Sequence, residues 1–340
     1  MILVAKIGTS SVTTKEGEVD TGAVAKLCAE VAALRAGGTQ VVLVSSGAIA
    51  AGLPALGFHA SAAGCDLATL QAVSAVGQSR LMRVYDDALS GHGLVAGQVL
   101  LAPLDFVHRQ QYLHARQTLT RLLELGVVPV VNENDAVADD EIRFSDNDRL
   151  AALVAHLVGA DLLVLLTDAP GLLSADPRRD PTASLIEEVA EVDEQLERAA
   201  GGAGTPRASG GMASKLAAAR MAAWSGVEVV IAAAGRPGVL SAAVSREAGA
   251  GTVVRARPRR LPARKLWIAF AVPSLGTIVV DHGARRAVTD HRTSLLPAGV
   301  VEIRGNFDAD DAVEIVEAGG RVFAKGLARL PSRRASDWLG

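Results

Sequence analysis

Cysteine is scarce in this sequence, since Cys28 and Cys65 are the only two in 340 residues. Their spacing suits neither a metal site nor a disulfide-built domain, and two thiols fit a reducing compartment. Cys28 falls within a helical apolar pattern and is expected to pack as a small hydrophobic side chain. The core is therefore expected to form by ordinary hydrophobic burial.

Long uninterrupted apolar runs are also missing. The most apolar stretch, 150–173, is interrupted by His156, Asp161 and Asp168, which argues against a membrane span. The first apolar run is too short for the core of a signal peptide and leads directly into the fold. We therefore expect a soluble, cytoplasmic protein with no membrane partner.

Neither sign of charge dominates. The chain is 21% charged with a net charge of −3, which argues against wholesale disorder and against a dedicated polyanion binder. The C-terminal part is more basic, but its arginines cluster in 255–264 and at Arg333 and Arg334. Because 266–332 is close to neutral, a charged linker and tail explain this pattern better than a nucleic-acid surface, and nucleic acid is not an expected partner.

What the sequence does contain is an alternation of short apolar runs with helical patterns, up to about residue 254. Continuous apolar strands are typical of a mainly parallel sheet covered by helices on both faces, so we predict an α/β fold, a three-layer αβα sandwich. Ligands of such sheets bind at the carboxyl ends of the strands. The predicted strands are 2–7, 40–45, 95–101, 127–132, 162–167 and 227–232, and the predicted helices 22–36, 68–90, 109–125, 147–159 and 214–224.

The alternation of apolar runs and helical patterns ends after residue 254. Residues 255–264 contain two prolines and five arginines without periodicity and are predicted to be a linker after a first domain at 1–254. Residues 265–334 are predicted to form a small β-rich domain. Its predicted strands are 265–271, 276–280, 300–304 and 321–327.

Two lysines lie beside glycines and hydroxyls at the ends of elements. Lys6 ends the first strand and is followed by Gly8, Thr9 and Ser10, and Lys215 follows Gly210 and Gly211 at a predicted helix start. Glycine lets backbone N–H groups approach a polyanion, a helix N-terminus favours negative charge, and lysine supplies a mobile positive charge. The pair predicts a phosphate held from two sides.

Four further polar segments follow predicted strands or open a helix, and each has a plain alternative. Residues 45–48 suit an anion or tight packing of small residues. Residues 132–135 suit a substrate ammonium group or a simple turn. Residues 145–148 suit a buried carboxylate between the two lysines or an N-cap, supplied by Ser145 or Asp146. Residues 167–168 suit a nucleotide's base and ribose or another turn.

Taken in order, these segments resemble the amino acid kinase family. The resemblance is carried by Lys6-x-Gly8-Thr9-Ser10, Ser45-Ser46-Gly47-Ala48, Asn132-Glu133-Asn134-Asp135, Asp146-Asn147-Asp148, Thr167-Asp168 and Gly210-Gly211-Met212-x-x-Lys215. The C-terminal domain resembles a PUA domain. One departure is Ala208-Ser209, where the family usually has Gly-Thr; serine keeps the hydroxyl, so a small effect on nucleotide affinity is expected.

The resemblance implies transfer of the ATP γ-phosphoryl group to the side-chain carboxylate of L-glutamate, the first step of proline biosynthesis. It implies Ser46, Asp135 and Asn147 as glutamate-binding residues, with Asp135 receiving the α-ammonium group. Lys6, Asp148 and Lys215 are the candidate catalytic residues. The implied ATP-binding residues are Lys6, Gly8, Thr9, Thr167, Asp168, Ser209, Gly210, Gly211, Met212, Ala213, Ser214 and Lys215.

A carboxylate acceptor is already ionised at neutral pH, so this chemistry needs no general base. Mg²⁺ is expected as cofactor, bridging the β- and γ-phosphates with water ligands rather than a protein cage. The resemblance further implies proline as a feedback inhibitor and a homo-oligomer. The reductase that consumes γ-glutamyl phosphate is a candidate partner.

Two other functions compete. A different kinase of the same family could act on acetylglutamate, aspartate, carbamate or a nucleoside monophosphate, although such kinases generally lack a PUA-like domain. An RNA-binding or RNA-modifying protein is the alternative from another class, because PUA domains are known mainly from that setting. Neutral residues 266–332 and sparse basic-aromatic interleaving argue against it.

Overall fold

The computed structural model describes residues 1–14, 17–58, 65–106, 108–137, 147–177, 180–193, 211–258, 274–290, 293–320 and 322–336, with a few isolated positions between them. The chain divides into two compact units, residues 1–263 and 264–340.

An eight-stranded sheet organises the first unit. Its strands are β1 Ile2–Ile7, β2 Gln40–Ser45, β3 Ala96–Leu101, β4 Val128–Glu133, β5 Leu162–Thr167, β6 Glu188–Val189, β7 Glu228–Ala233 and β8 Thr252–Val254. The spatial order is β3-β4-β2-β1-β5-β7-β8-β6, and every pair is parallel except β7 with β8. The carboxyl ends of β1, β2, β4 and β5 therefore meet at one edge.

Helices cover both faces of this sheet, as the apolar strands predict. They are α1 Thr9–Val12, α2 Thr21–Ala36, α3 Ala48–Gly52, α4 Leu67–Ser90, α5 Arg109–Glu124, α6 Asn147–Val158, α7 Met212–Trp224 and α8 Val239–Ser245. Asp20 and Asp66 start α2 and α4 as N-caps, each accepting a backbone N–H from three residues on.

The two helical layers pack against different faces of the sheet, and only one of these faces presents Lys6. Helices α2, α4 and α8 pack on one face, where alternate strand residues such as Leu3, Ala5 and Ile7 join one buried cluster. Helices α6 and α7 pack together on the other face, where α6 lies against β1 and α7 against β7. Because strand side chains alternate, Lys6 projects from β1 on the α6 and α7 side.

The second unit has a four-stranded sheet ordered β10-β9-β11-β12. Its elements are β9 Gly276–Val280, α9 His282–Thr289, β10 Val300–Gly305, β11 Ala312–Glu317, β12 Val322–Leu327 and α10 Ser332–Ser336. Strand β9 pairs parallel with β11, and the outer pairs are antiparallel. A small core of Phe307, Val313 and Ala328 forms between these elements.

The sandwich is confirmed, but some predicted elements need correction. Strands β6 and β8 have two and three residues, too few for a periodic signal, and were not predicted. Strand β11 was also missed, because Glu314 and Glu317 lie three apart, a helical spacing. The strand predicted at 265–271 is wrong where it is described, since residues 265, 268 and 269 are helical. A short apolar run does not distinguish strand from helix.

The segment predicted as a linker begins on the first unit. The backbone N–H groups of Arg257 and Leu261 donate to the carbonyl oxygens of Ala223 and Trp224 at the end of α7, at 2.9 and 3.0 Å. None of the helices in the described ranges combines the length and apolarity needed to cross a bilayer.

Candidate active site

A buried carboxylate joins the two lysines singled out in the sequence. Asp148 Oδ1 lies 2.6 Å from Lys6 Nζ, and Asp148 Oδ2 lies 3.0 Å from Lys215 Nζ. The three residues are 0%, 2% and 4% exposed, respectively. They come from the first turn of α6, the end of β1 and the first turn of α7. Two ammonium groups on one carboxylate leave one positive charge in excess, which suits a phosphoryl group.

A glycine starts the helix that follows Lys6, and another glycine starts the helix that contains Lys215. Gly8 is the N-cap of α1 and Gly211 the N-cap of α7, and neither helix receives a side-chain cap. A Cβ atom on Gly8 would lie 3.8 Å from Lys6 Nζ, so the backbone passes directly beside the ammonium group. Thr9 is exposed in α1, and Met212 and Ala213 lie half-buried in the first turn of α7. Backbone N–H groups at these starts are suited to phosphate oxygens.

Ser214 ties α7 to the carboxylate. Its hydroxyl donates to the carbonyl oxygen of Gly211 at 2.8 Å and lies 3.3 Å from Asp148 Oδ2. The start of α7 is thereby held against the start of α6. Ser145, Asp146, Ser209 and Gly210, which the sequence also singled out, lie outside the described residues.

Asn147, the residue before the shared carboxylate, links two strand ends. Its Nδ2 donates to the carbonyl oxygen of Ser45 at 2.6 Å and to Asn132 Oδ1 at 2.7 Å. The side chain is 9% exposed. The end of β2, the end of β4 and the start of α6 are therefore joined through one amide, next to the lysines.

The turn after β2 allows α3 to pack closely, and it places Ser46 at the carboxyl edge of the sheet. Gly47 has φ of +104°, which glycine adopts without strain, and Ser46 before it is half-buried. A Cβ atom on Gly52 would lie 2.0 Å from the carbonyl oxygen of Val73 in α4. Both interpretations of residues 45–48 therefore fit: small residues allow close packing of α3, and Ser46 lies at the carboxyl edge.

Asp135 lies beyond the end of β4 and contacts α4. Its Oδ2 accepts a hydrogen bond of 2.9 Å from Ser74 Oγ, and the side chain is half-buried at the start of a 3-10 helix, Asp135–Val137. The turn predicted here and a place for a cationic group are thus compatible.

Thr167 ends β5 and Asp168 follows it, on the side of β1 away from β2. Thr167 Oγ1 donates to Asp168 Oδ1 at 3.0 Å. A cleft of about 310 Å³ opens beside them, lined also by Ile7, Lys26 and Gly235. The carboxyl edge therefore has Asp135 and Ser46 toward β4 and Thr167 and Asp168 toward β7, with the lysines between them.

Three site-proximal residues were not found from the sequence: Ser74, Gln78 and Tyr85 of α4. The signal that could have revealed them is a set of polar side chains at helical spacing on a face that is otherwise apolar. Tyr85 is fully buried, its hydroxyl lies 2.9 Å from Ser45 Oγ, and burial raises the pKa of Tyr85. Gln78 Oε1 accepts from Asn132 Nδ2 at 2.8 Å.

Residues 1–233 match the amino acid kinase family, which is more than half of the chain. The chain belongs to the amino acid kinase family. Residues 276–337 match the PUA domain. Both assignments confirm the resemblance drawn from the sequence motifs.

Relatives in this family share most of their length with the chain. Glutamate 5-kinase of Methylibium petroleiphilum is 46% identical over 333 residues, covering 98% of this chain and 89% of the relative. Glutamate 5-kinase of Geobacter sp. is 46% identical over 338 residues, covering 99% and 90%.

Solved structures of amino acid kinase fold proteins are similar to the chain in fold alone. An X-ray structure of isopentenyl phosphate kinase aligns with a TM-score of 0.54 and 22% identity, covering 75% of this chain and all of that one. Aspartate kinase from Synechocystis aligns with a TM-score of 0.50 and 19% identity, covering 77% and 41%.

Proposed function

We propose that this amino acid kinase transfers the γ-phosphoryl group of ATP to the side-chain carboxylate of L-glutamate, the first step of proline biosynthesis. The observation that carries the proposal is the buried Lys6–Asp148–Lys215 cluster at the carboxyl edge of the sheet. The relatives that share nearly the whole length of the chain and are named glutamate 5-kinase support this choice of acceptor.

In the proposed step, a carboxylate oxygen of glutamate attacks the γ-phosphorus in line. The new O–P bond forms as the bond to the β–γ bridging oxygen breaks, and ADP leaves with that electron pair. The acceptor is ionised at neutral pH because a glutamate carboxyl has a pKa of about 4.3 in solution, so the site supplies positioning and charge rather than a base.

Lys6 and Lys215 neutralise charge on the moving phosphoryl group, and Asp148 holds both ammonium groups in place. Ser46, Asp135 and Asn147 bind glutamate on the β4 side, with Asp135 receiving the α-ammonium group. Thr167, Asp168 and the start of α7 bind ATP, together with Gly8 and Thr9.

Mg²⁺ enters as part of the ATP substrate. Asp148 is already shared by two lysines, and in the described parts of the chain no three His, Cys, Asp or Glu side chains group as metal ligands. The residues fit an ion carried by phosphates and water, whose chemistry is charge neutralisation on those phosphates.

A substrate panel with hydroxylamine tests the acceptor. Hydroxylamine traps acyl phosphates, so the enzyme with ATP and L-glutamate is expected to give the γ-hydroxamate. Acetylglutamate, aspartate, carbamate and a nucleoside monophosphate form the comparison set. Preferred turnover of any of these over glutamate would overturn the proposal in favour of another kinase of the family.

Regulation, assembly and location complete the proposal. Proline competes with glutamate, the enzyme is a homo-oligomer, and it works in the cytoplasm, where ATP and glutamate are available. Because the acyl phosphate product hydrolyses readily, the reductase that consumes it is the proposed partner. A glutamate kinase assay unchanged by millimolar proline would refute the proposed inhibition. A monomeric mass by light scattering would refute the proposed homo-oligomer.

A further inference from the structure

We propose that helix α4 positions the glutamate half of the site through Ser74, Gln78 and Tyr85. This inference rests on the proposed function and deepens it, because the groups that these side chains hold are those assigned above to glutamate.

The three residues form one stripe on α4. They lie at i, i+4 and i+11, which places them on the same face of a helix. They are 3%, 7% and 0% exposed, and the apolar Leu81 shares their face. Buried polar side chains must be hydrogen-bonded to be tolerated, so what they contact explains why they are there.

The first contact of the stripe reaches the ammonium-binding carboxylate. Ser74 Oγ donates to Asp135 Oδ2 at 2.9 Å, across 61 residues of sequence. This bond orients a half-buried carboxylate in the short 3-10 helix Asp135–Val137. A hydroxyl at position 74 therefore sets where the α-ammonium group of glutamate is received.

The second contact acts through an amide chain. Gln78 Oε1 accepts from Asn132 Nδ2 at 2.8 Å, and Asn132 Oδ1 accepts from Asn147 Nδ2 at 2.7 Å. Asn132 can accept from Asn147 only while its own amide nitrogen faces Gln78. Together with the backbone N–H of Glu133, which donates to Asn132 Oδ1 at 2.8 Å, Gln78 holds the Asn132 amide in the orientation that receives Asn147.

A glutamine at position 78 would be unfavourable if the side chain served only to stabilise the fold. Within the described residues its buried Nε2 has no hydrogen-bond partner. A buried donor left unpaired destabilises the fold, and an unbranched apolar side chain of similar size would remove it, at the expense of the acceptor for Asn132 Nδ2. The glutamine therefore serves the orientation of Asn132 rather than stability.

The third contact reaches the turn that carries Ser46. The Tyr85 hydroxyl bonds Ser45 Oγ at 2.9 Å, one residue before Ser46. The helix itself is fixed against the same turn, because a Cβ atom on Gly77 would lie 1.8 Å from the carbonyl oxygen of Ala48. With backbone against backbone, α4 and the turn after β2 form one rigid support.

The test separates positioning from stability. Ser74→Ala, Gln78→Met and Tyr85→Phe are compared with wild type for kcat, for the KM values of glutamate and ATP, and for Tm. Ser79→Ala is the matched control on the same helix, since Ser79 is exposed and its hydroxyl bonds only the carbonyl oxygen of Val76 among described contacts. Ser74→Thr restores the hydroxyl.

Ser74→Ala and Gln78→Met are expected to raise the glutamate KM about tenfold while the ATP KM stays within about twofold. Tyr85→Phe is expected to raise it by a smaller factor. Gln78→Met is expected to keep Tm within about 3 °C of wild type, because the unpaired Gln78 Nε2 is removed while Asn132 Nδ2 loses its acceptor, so one unpaired buried donor replaces another. Ser79→Ala and Ser74→Thr are expected to match wild type.

Unchanged glutamate KM values, or glutamate and ATP KM values that rise together, would overturn the inference and leave the proposed function intact. A wild-type enzyme that forms no glutamyl hydroxamate would overturn both. The two failures are distinguished by the wild-type reaction alone, before any variant is measured.

Discussion

Asp148 shows how much of the site depends on single side chains. A carboxylate with no exposure is sustained by two lysines, one from a strand and one from a helix 67 residues later in the chain. Removing one partner of such a group leaves buried charge with incomplete compensation, which costs both function and stability. The lysine variants therefore need a stability measurement beside the kinetic one.

Lys6→Ala and Lys215→Ala are each expected to lower kcat at least about 100-fold, because each removes a charge that stabilises the transition state. Steady-state assays with glutamate and ATP, on protein shown to be folded by circular dichroism, measure the effect. Lys265→Ala, an exposed lysine of the C-terminal unit, is the control. Near-wild-type turnover in either site variant would refute its catalytic role.

Asp135→Ala is expected to raise the glutamate KM at least about tenfold with little change in the ATP KM, because it removes the partner of the α-ammonium group. Initial-rate series in each substrate measure both constants. If the ATP KM rose instead, the glutamate and nucleotide sites would have been assigned to the wrong ends of the sheet edge.

The two thiols are expected to differ in reactivity. Burial raises the pKa of Cys28 to about 12, so its thiolate fraction near neutral pH is very small, whereas Cys65 is partly exposed. Titration of the native protein with a thiol reagent at pH 8 is expected to modify one thiol, and titration in denaturant two. Rapid modification of Cys28→Ala and slow modification of Cys65→Ala identify the reactive residue; the reverse pattern contradicts the assignment.

At the scale of elements, α3, which follows the turn after β2, packs backbone against backbone on α4. Both helices approach at glycines, and a Cβ atom on Gly77 has no room against the carbonyl oxygen of Ala48. Backbone atoms cannot move aside as a flexible side chain can, so an added methyl group must separate the helices.

Gly77→Ala is therefore expected to lower the free energy of unfolding by about 1–3 kcal/mol. Gly91→Ala, at the end of the same helix, is the control, because a Cβ atom there meets nothing closer than 3.5 Å and the backbone has φ of −59°. Urea titrations of both variants measure the difference. A Gly77→Ala protein as stable as wild type would show that the two helices are not in backbone contact.

The sequence predicts the central strands well because each is a continuous apolar run of about six residues, a signal that depends only on near neighbours. It predicts the lysines and polar strand ends because parallel strands bring their carboxyl ends to one edge. It misses Ser74 and Gln78 because their partners lie 61 and 54 residues away. Polar side chains at helical spacing on an otherwise apolar face indicate buried polar contacts, but the helix alone does not identify the partners.

At the scale of the whole chain, the two described arginines of the basic segment after residue 254, Arg255 and Arg257, make their contacts within the first unit. Arg255 pairs with Glu188 at 2.7 Å and with Glu228 at 3.3 Å, and its hydrogen bond to Glu188 lowers the pKa of the Glu188 carboxyl. The Arg257 guanidinium lies 4.0 Å from the centre of the Trp224 ring. Arginines that are paired and stacked in this way are poorly placed to hold a nucleic-acid backbone.

The positions of the site residues predict that the first unit alone carries the catalytic activity. All residues assigned to glutamate and ATP fall within residues 1–263, while residues 264–340 have their own sheet and core. A chain ending at Ala263 keeps the segment that bonds the end of α7. We therefore expect it to retain kcat and both KM values within about threefold of the full chain. Folding of the shortened chain is checked by circular dichroism and thermal melting, and a folded fragment that had lost glutamate phosphorylation would place part of the catalytic requirement in the PUA domain.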